Sequence, residues 1–355
     1  MEANVGQAEA LARAVARVQE GLPAGMRVRP AGPDDLPAVV DFRNAGASDA
    51  EYVSVERERH AEAHNPQPGR LRLLVESVPA GPGAAPGPDG WPAAYGETGD
   101  GGVLSRADGT FRFTLRVAPA HRGRGVGGAL LAALEAHARA LGAPRHVTSV
   151  HGDEAAGVAF ARRRGYTPYH ETVHSYVDVQ AFDAGRFEDP DALAARAGAR
   201  LEGYAALAAA HGGDREAFQR AVYAVAGEAM RDVPSPEPRD PPPFEAIREL
   251  FFEGGDLHPA ASVLAVRGGR VVGLTVTTMN TPRLASTTFT GVARSDRGRG
   301  LALAMKLRAI AALRAEGVER FGTSNDAGNA AMRGINARLG YVPDPPVVLV
   351  EKRLG

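Results

Sequence analysis

The chain has 355 residues, 43 of them Gly and 26 Pro, with no Cys and a formal net charge of −1 from 41 Lys and Arg against 42 Asp and Glu. At 44% hydrophobic and 23% charged residues it sits near the globular average, which excludes disorder throughout and supplies apolar material for a sizeable core. The missing thiols exclude a disulfide scaffold, a thiolate metal site and a cysteine nucleophile, and the charge, −3 over residues 1–183 and +2 over 184–355, excludes a polybasic nucleic-acid binder.

Residues 8–21 place Leu11, Val15 and Val18 at helical spacing and predict an added N-terminal helix. A strand over 26–29, helices over 34–44 and 53–63, and strands over 71–76 and 92–96 follow. Residues 79–90 contain only Pro, Gly, Ala and one Asp and read as a flexible hairpin insertion. Alternating Phe111, Phe113, Leu115 and Val117 predict a strand that runs into a glycine-rich turn. The next helix carries Leu130, Leu131, Leu134, His137 and Leu141 on one face, and Gly142 ends it. A strand over 146–150, a helix over 155–164 and a closing strand complete the first half. Beyond a linker at 183–191 the plan returns: a strand over 199–204, helices over 215–230 and 244–252, and strands over 262–267 and 270–278. The proline-rich stretch 234–243 interrupts this half between two helices. A strand ending at Val292, a helix closed by Gly317, a strand over 320–324 and a helix over 330–339 finish it.

The two halves are copies. His121-Arg122-Gly123-Arg124-Gly125 returns as Asp296-Arg297-Gly298-Arg299-Gly300, a displacement of 175 that also carries Gly165-Tyr166 to Gly340-Tyr341. Residues 117–168 and 292–343 match without a gap at 20 of 52 positions, where chance in so Ala-, Gly- and Arg-rich a window gives roughly one in eight. This predicts two domains, 1–183 and 184–355.

A strand that turns through glycines into a helix N-terminus directs unpaired backbone N–H groups and the positive helix end at one point, which suits a phosphate. Val126-Gly127 and Leu301-Ala302 stand where an ATP-binding P-loop needs Lys and Ser or Thr, so an NTPase does not fit. Gly123, Gly125 and Gly128 formally meet a dinucleotide fingerprint, but the second copy has Leu303 at the third glycine. An RNA-binding Arg-Gly segment belongs to repetitive disordered tracts, whereas these repeats sit between a strand and a helix.

The motif Val117-Ala118-Pro119-Ala120-His121-Arg122-Gly123-Arg124-Gly125-Val126-Gly127, its counterpart over 292–302 and the later turns at 160–168 and 335–343 resemble the GNAT superfamily of acyl-CoA-dependent N-acetyltransferases, and the doubling resembles bacterial tandem GNAT proteins. The resemblance implies two α+β domains, each a mixed, mostly antiparallel sheet flanked by helices, packed as a pseudo-twofold pair. It implies acetyl-CoA as acyl donor, held in the first copy by Val117, Arg122, Gly123, Arg124, Gly125, Val126, Gly127 and Gly128. In the second copy Val292, Arg297, Gly298, Arg299, Gly300, Leu301, Ala302 and Leu303 take that part, with Asn325 and Asn329. Pantetheine would lie in a splay between the strands ending at Val117 and Val150, or at Val292 and Asn325.

The family often has a Tyr proton donor four residues before the later glycine. Ala161 and Asn336 stand there instead. Val150 and Glu154 occupy the places of Asn325 and Asn329 in the first copy, so the expectation is catalysis in the second copy, with Asn336, Asn325 and Glu97 as weak catalytic candidates. Glu154, His151, His174, Asp326, Glu253, Asp256 and His258 are further candidate bases near the cleft, each more readily read as a solvated surface charge. The histidines show no metal-ligand spacing, and no metal is predicted. The expected reaction is acetyl transfer to a primary amine of a small molecule by direct attack. The alternative is a catalytically degenerate acyl-CoA-binding sensor or scaffold. No nucleic-acid or membrane partner is expected; the chain reads as a cytoplasmic pseudo-dimer, itself monomeric or homodimeric.

Overall fold

The computed structural model describes all residues except 1, 46–51, 66, 68, 79–91, 103–107, 205, 207–213, 235–239 and 254–255, and the side chains of 2–10 are likewise outside the description. The predicted hairpin insertion at 79–90 therefore lies outside the described residues, as does the middle of the proline-rich stretch.

The first compact unit comprises residues 1–150, 154–169 and 349–355. It opens with α1 (Glu2–Glu20), longer than the predicted 8–21 helix by its start. The strands β1 (Met26–Pro30), β2 (Leu71–Ser77), β3 (Ala94–Gly99) and β4 (Phe111–Val117) pair antiparallel in that order, with α2 (Leu36–Asn44) and α3 (Val55–His64) between the first two. Then come α4 (Val126–Ala140), β5 (Arg145–His151), parallel to β4, and α5 (Ala155–Arg163). Val18 of α1 is fully buried, Gly21 lies where a Cβ would come 2.9 Å from Ala129 of α4, and the Gln19 side chain bonds Met26 O and Val28 N at 3.1 Å each. The added helix thus packs on α4 and fastens the edge strand.

The second compact unit comprises residues 151–153 and 170–348. β6 (Thr167–Asp178) enters it, and after a 3-10 turn at Ala184–Arg186 come α6 (Pro190–Arg196) and β7 (Arg200–Gly203). The predicted linker is ordered: Asp183 accepts from Gly185 N, and Asp189 caps α6 through Asp191 N and Ala192 N at 3.0 Å. α7 (Arg215–Met230) and α8 (Phe244–Arg248), which runs on as a π-turn over Glu249–Glu253, precede β8 (Val263–Arg267), β9 (Arg270–Thr281) and β10 (Leu284–Val292). α9 (Leu301–Ala315), β11 (Arg320–Asp326), α10 (Ala330–Arg338), the short β12 (Val342–Pro343) and β13 (Val347–Arg353) end the chain. The sheet order is β6-β11-β10-β9-β8-β7, with β10 and β11 parallel and the other pairs antiparallel.

The compact units divide the chain differently from the expected 1–183 and 184–355. Residues 170–183 count in the second unit, because β6 pairs with β11 from Asp178 opposite Arg320 to Thr172 opposite Asp326. Residues 349–355 count in the first, where β13 lies beside β5, Arg145 pairs with Glu351 at 2.8 Å and Lys352 with Glu135 at 2.8 Å. Each unit's sheet is completed by a strand from the other sequence copy, which periodicity within one copy does not reveal.

Two cores flank the second sheet. Val263, Ala265, Ala285, Phe321 and Tyr341 join Leu303, Met305, Leu307 and Ile310 of α9 on one face. Leu264, Val266, Leu274 and Val276 meet Phe218, Val222, Ile247 and Phe251 of α7, α8 and the π-turn on the other.

Candidate functional site

In both units the parallel pair separates soon after it forms. β4 and β5 pair only at Phe111 with His146 and Arg112 with Val147, and β10 and β11 from Leu284 with Arg320 to Thr287 with Thr323. Beyond those residues the ladder pairing of the two strands ends and a slot opens between them. The first slot is narrowed where Thr148 Oγ1 still donates to Phe113 O at 2.8 Å. In the second, the β9–β10 register shifts between Thr287 and Phe289, so Thr288 is a bulge residue whose main chain is left out of the ladder beside the slot. The first copy has no such shift between β3 and β4.

Each parting strand leads into the same loop. A 3-10 turn, Pro119–His121 or Arg294–Asp296, is followed by Gly123 or Gly298, both at φ 74°, and by Gly125 at φ 88° or Gly300 at φ 85° as the N-cap. These left-handed positions are why glycine is needed there. Neither N-cap has a side-chain hydrogen bond, so the first N–H groups of the 15-residue helices α4 and α9 open at the loop. A pyrophosphate fits that donor set and the helix dipole.

The loop arginines Arg122 and Arg297 also hold the loop itself. Arg122 Nε donates to Val117 O at 3.0 Å and Arg297 Nε to Val292 O at 2.9 Å, fastening the loop to the last strand residue. Arg297 also pairs with Asp232 at 2.7 Å, as does Arg294 at 2.6 Å, and the Arg294 hydrogen bond leads in holding Asp232 well below the usual carboxylate range. Arg124 and Arg299 are exposed at the loop tip, and Val126 and Leu301 are buried under it. A Cβ on Gly127 would meet Val117 Cγ2 at 3.3 Å, so that glycine lets the helix start approach the strand end; Ala302 replaces it in the second copy. Gly128 makes room for Arg164, whose Nη2 lies 2.3 Å from an ideal Cβ there, while the second copy has the apolar pair Leu303 and Leu339 at these positions.

The structure brings Asn325 and Asn336 together: Asn336 Nδ2 donates to Asn325 Oδ1 at 2.6 Å, and the buried Asn336 Oδ1 meets no donor among the described residues. In the first copy Val150 and Ala161 offer nothing polar at either place. Asn329 is the N-cap of α10, accepting from Met332 N at 3.2 Å. Glu97 is committed elsewhere: it bonds Arg72 Nε at 3.1 Å and takes the hydroxyl of the fully buried Tyr95, whose pKa is driven up first by burial and then by Glu97. Glu154 lies 4.0 Å from Arg122, and His258 bonds Glu316 at 3.0 Å and accepts from Ala261 N at 3.1 Å. Asp326 pairs with His170 at 2.9 Å, a partner that sequence spacing does not indicate because β6 arrives from the other copy. His60 and His64, without ligand spacing in the sequence reading, stand one turn apart on α3 with rings stacked at 4.1 Å.

Two buried groups were not foreseen. In the second unit Lys306 of α9 is fully buried, its Nζ 3.4 Å from Thr287 Oγ1 and 5.0 Å from the Tyr341 ring centre, and burial lowers its pKa to about 7. In the first unit a chain of polar groups runs from Lys352 through Glu135 and Tyr166 to His146 and Thr98, with His146 Nδ1 2.8 Å from Tyr166 Oη and Nε2 2.9 Å from Thr98 Oγ1. Burial, with Lys352 and Arg139 nearby, lowers the His146 pKa to about 3. A lysine within a run of apolar helix positions was the available signal for the first; nothing local marks the second.

Residues 92–166 match the model of the acetyltransferase (GNAT) family. No curated protein matches the chain. Among solved structures it is similar to a GCN5-related N-acetyltransferase from Sphaerobacter thermophilus, with TM-score 0.65 and 22% identity over 94% of this chain and 97% of that one. It is also similar to a tandem GNAT protein from the clavulanic acid biosynthesis pathway, with TM-score 0.67 and 19% identity over 93% of this chain and 99% of that one. Among the described residues no helix is long and apolar enough to cross a membrane.

Proposed function

We propose that this chain, which carries the tandem GNAT fold along nearly its whole length, transfers acetyl from acetyl-CoA to a primary amine of a small molecule, with chemistry in the second unit and acyl-CoA held structurally in the first. The carrying observation is the Asn325–Asn336 amide pair beside the slot of β10 and β11, where the first copy has Val150 and Ala161.

Acetyl-CoA would supply an activated acyl thioester. The backbone amides around Gly298, Gly300, Leu301 and Ala302 would hold its pyrophosphate, and Arg297 keeps that loop in place through Val292 O. The parted strands accept an extended arm as a third strand would be accepted, through main-chain groups freed where pairing stops. Asn336 cannot give up a proton as a Tyr can. The one Nδ2 N–H not given to Asn325 can stabilise charge that develops as the acyl carbon is attacked, and Oδ1 can accept from the amine. The amine must lose a proton, because an alkylammonium is charged at neutral pH.

Gly127→Glu and Ala302→Glu test the division of labour by placing a carboxylate at each helix start. Loss of thiol release on an amine panel from Ala302→Glu, with the Gly127→Glu protein still active, supports the reading. Loss from Gly127→Glu alone reverses it. The sensor or scaffold reading is favoured by the absence of an acidic side chain at both Ala161 and Asn336; tight acetyl-CoA binding with no turnover of any amine would establish it.

A further inference from the structure

Two of the 41 Lys and Arg residues of the chain are lysines, Lys306 and Lys352. Arginine keeps its charge in any setting, whereas a buried lysine can shed its proton and act as a nucleophile. Lys352 is held by Glu135, with both carboxylate oxygens at 2.8 Å. Lys306 has no such counter-ion. Its Nζ is buried, and Thr287 Oγ1 at 3.4 Å is its one hydrogen-bond partner among the described residues. The rings of Tyr341 and Phe321 close round it, their centres at 5.0 and 5.7 Å. The repeat shows that the fold does not need an amine here, because the 175-residue displacement puts the buried Leu131 of α4 at the same position. A polar group buried with so little compensation is costly, which points to a use.

Lys306 stands at the closed end of the slot. Thr287 and Thr323 form the last rung between β10 and β11, Thr288 beside them is the bulge residue, and the slot opens from there towards Val292. From Val292 back to Thr287 the strand covers roughly 16 Å, about the reach of an extended pantetheine arm from pyrophosphate to thioester. With the pyrophosphate on the loop at Gly300, the thioester therefore arrives at the last rung, where Lys306 donates to the Thr287 hydroxyl.

We propose that Lys306 Nζ is a self-acylation site: with acetyl-CoA in the second unit and no amine at hand, it takes the acetyl group itself. This rests on the acetyl-CoA site of the reading above, and not on turnover of any amine. The neutral nitrogen adds to the thioester carbon and forms a tetrahedral intermediate. The carbon–sulfur bond then breaks, the proton released by nitrogen goes to sulfur, and an amide and the free CoA thiol remain. The acyl group stays at the end of the slot while CoA leaves, so no new cavity is needed. Left there, it occupies the place of the next thioester and stops further turnover. Burial lowers the lysine pKa to about 7, so about half of it is neutral at pH 7, against about one part in two thousand for an ordinary lysine. Tyr341 is the titratable group that faces it, and burial raises the pKa of that hydroxyl. The charged groups on the surrounding elements are engaged elsewhere: Arg308 and Arg314 of α9 by Asp191 and Phe182 O, Arg320 of β11 by the Tyr176 ring, Asp326 by His170, and Arg333 of α10 by Ala327 O.

The full chain is incubated with acetyl-CoA and no amine, digested, and its two lysines are compared by peptide mass spectrometry. Acetylation is expected at Lys306 about a hundredfold faster than at Lys352, with a rate that rises as pH passes 7 and levels off above it. Ala302→Glu, which sets a carboxylate at the helix start, is expected to slow it at least about tenfold, and Gly127→Glu to leave it unchanged. An amine that the chain turns over should slow the labelling by competing for the same acyl carbon. Labelling of Ala302→Glu at the wild-type rate would be plain chemical acetylation and overturns the inference. No label at Lys306 overturns it as well; turnover of an amine by that same chain leaves the acyl-transfer reading standing, and tight acetyl-CoA binding without turnover removes both.

Discussion

Asn336 Nδ2 donates to Asn325 Oδ1 at 2.6 Å, joining α10 to the end of β11 where β10 and β11 have parted. Asn336 is only 3% exposed, and its Oδ1 meets no donor among the described residues. A buried amide left half satisfied is costly to keep without a use, and on the acyl-transfer proposal Asn336 Oδ1, an acceptor, fits an N–H of the attacking amine. On that proposal Asn336→Ala, which removes the Oδ1 acceptor and frees Asn325, is expected to lower kcat by about ten- to a hundredfold, with acetyl-CoA affinity within a few-fold. Stability falls by roughly 1–2 kcal/mol because Asn325 Oδ1 loses its partner. Unchanged kcat in a folded variant would assign the pair to structure alone.

The loop and helix parts of the site were legible because each is written in consecutive residues. Gly123, Gly125, Gly298 and Gly300 occur where left-handed backbone is required, and the repeat displays the requirement twice. Asn325 and Asn336 could be singled out, but not their contact, which depends on how α10 packs on β11. The His170–Asp326 pair was out of reach, since it depends on β6 joining a sheet built by the other sequence copy. The repeat marked Arg122 and Arg297, but not their use of Nε on a strand carbonyl, which depends on how the loop folds back on the strand end.

His146 gives the first unit an acid-sensitive core. Its folded pKa lies near 3, below the unfolded value of about 6.5, so the unfolded chain binds more protons between those values and stability falls as pH drops from 6.5 towards 3. His146→Phe, which copies Phe321 of the other repeat, removes that proton uptake and leaves Tyr166 on Glu135. Urea midpoints at pH 7, 5 and 4 should show a shallower acid loss in the variant. Equal slopes would mean that His146 is not the group responsible.

Lys306 follows the same rule at higher pH in the second unit. Burial lowers its pKa to about 7 from an ordinary 10.5, so the folded state releases a proton that the unfolded state keeps between those values. Stability from this group therefore rises with pH from 7 to 10.5 and is at its lowest below 7. Lys306→Met, similar in length and apolar, is expected to stabilise the chain by a few kcal/mol at pH 7. The gain over wild type should shrink at pH 9 and nearly vanish by pH 10.5. A variant whose advantage is the same at each pH would show that packing, not titration, sets it.

The glycines of the two loops should separate by backbone rather than by position in the motif. Gly125 and Gly300 hold φ near 88° and 85°, where an L side chain costs about 1–2 kcal/mol. At Gly300 a Cβ also comes 3.3 Å from Leu193 Cδ1, whereas at Gly125 the nearest atom is Gly21 O at 3.9 Å, so Gly300→Ala should cost more than Gly125→Ala. Gly128 is helical, and the atom in its way is the far end of the exposed Arg164 side chain, which sits 5.2 Å from the Phe160 ring centre. Helix propensity favours Ala there by roughly 0.5–1 kcal/mol, about what the displaced cation–π contact is worth. Gly128→Ala is therefore expected to be near neutral in urea denaturation, and Gly128→Leu with Arg164→Leu, which copies Leu303 and Leu339, to be more stable than either single change. A Gly128→Ala variant less stable than Gly125→Ala would show that Arg164 is held in place by more than the Phe160 ring.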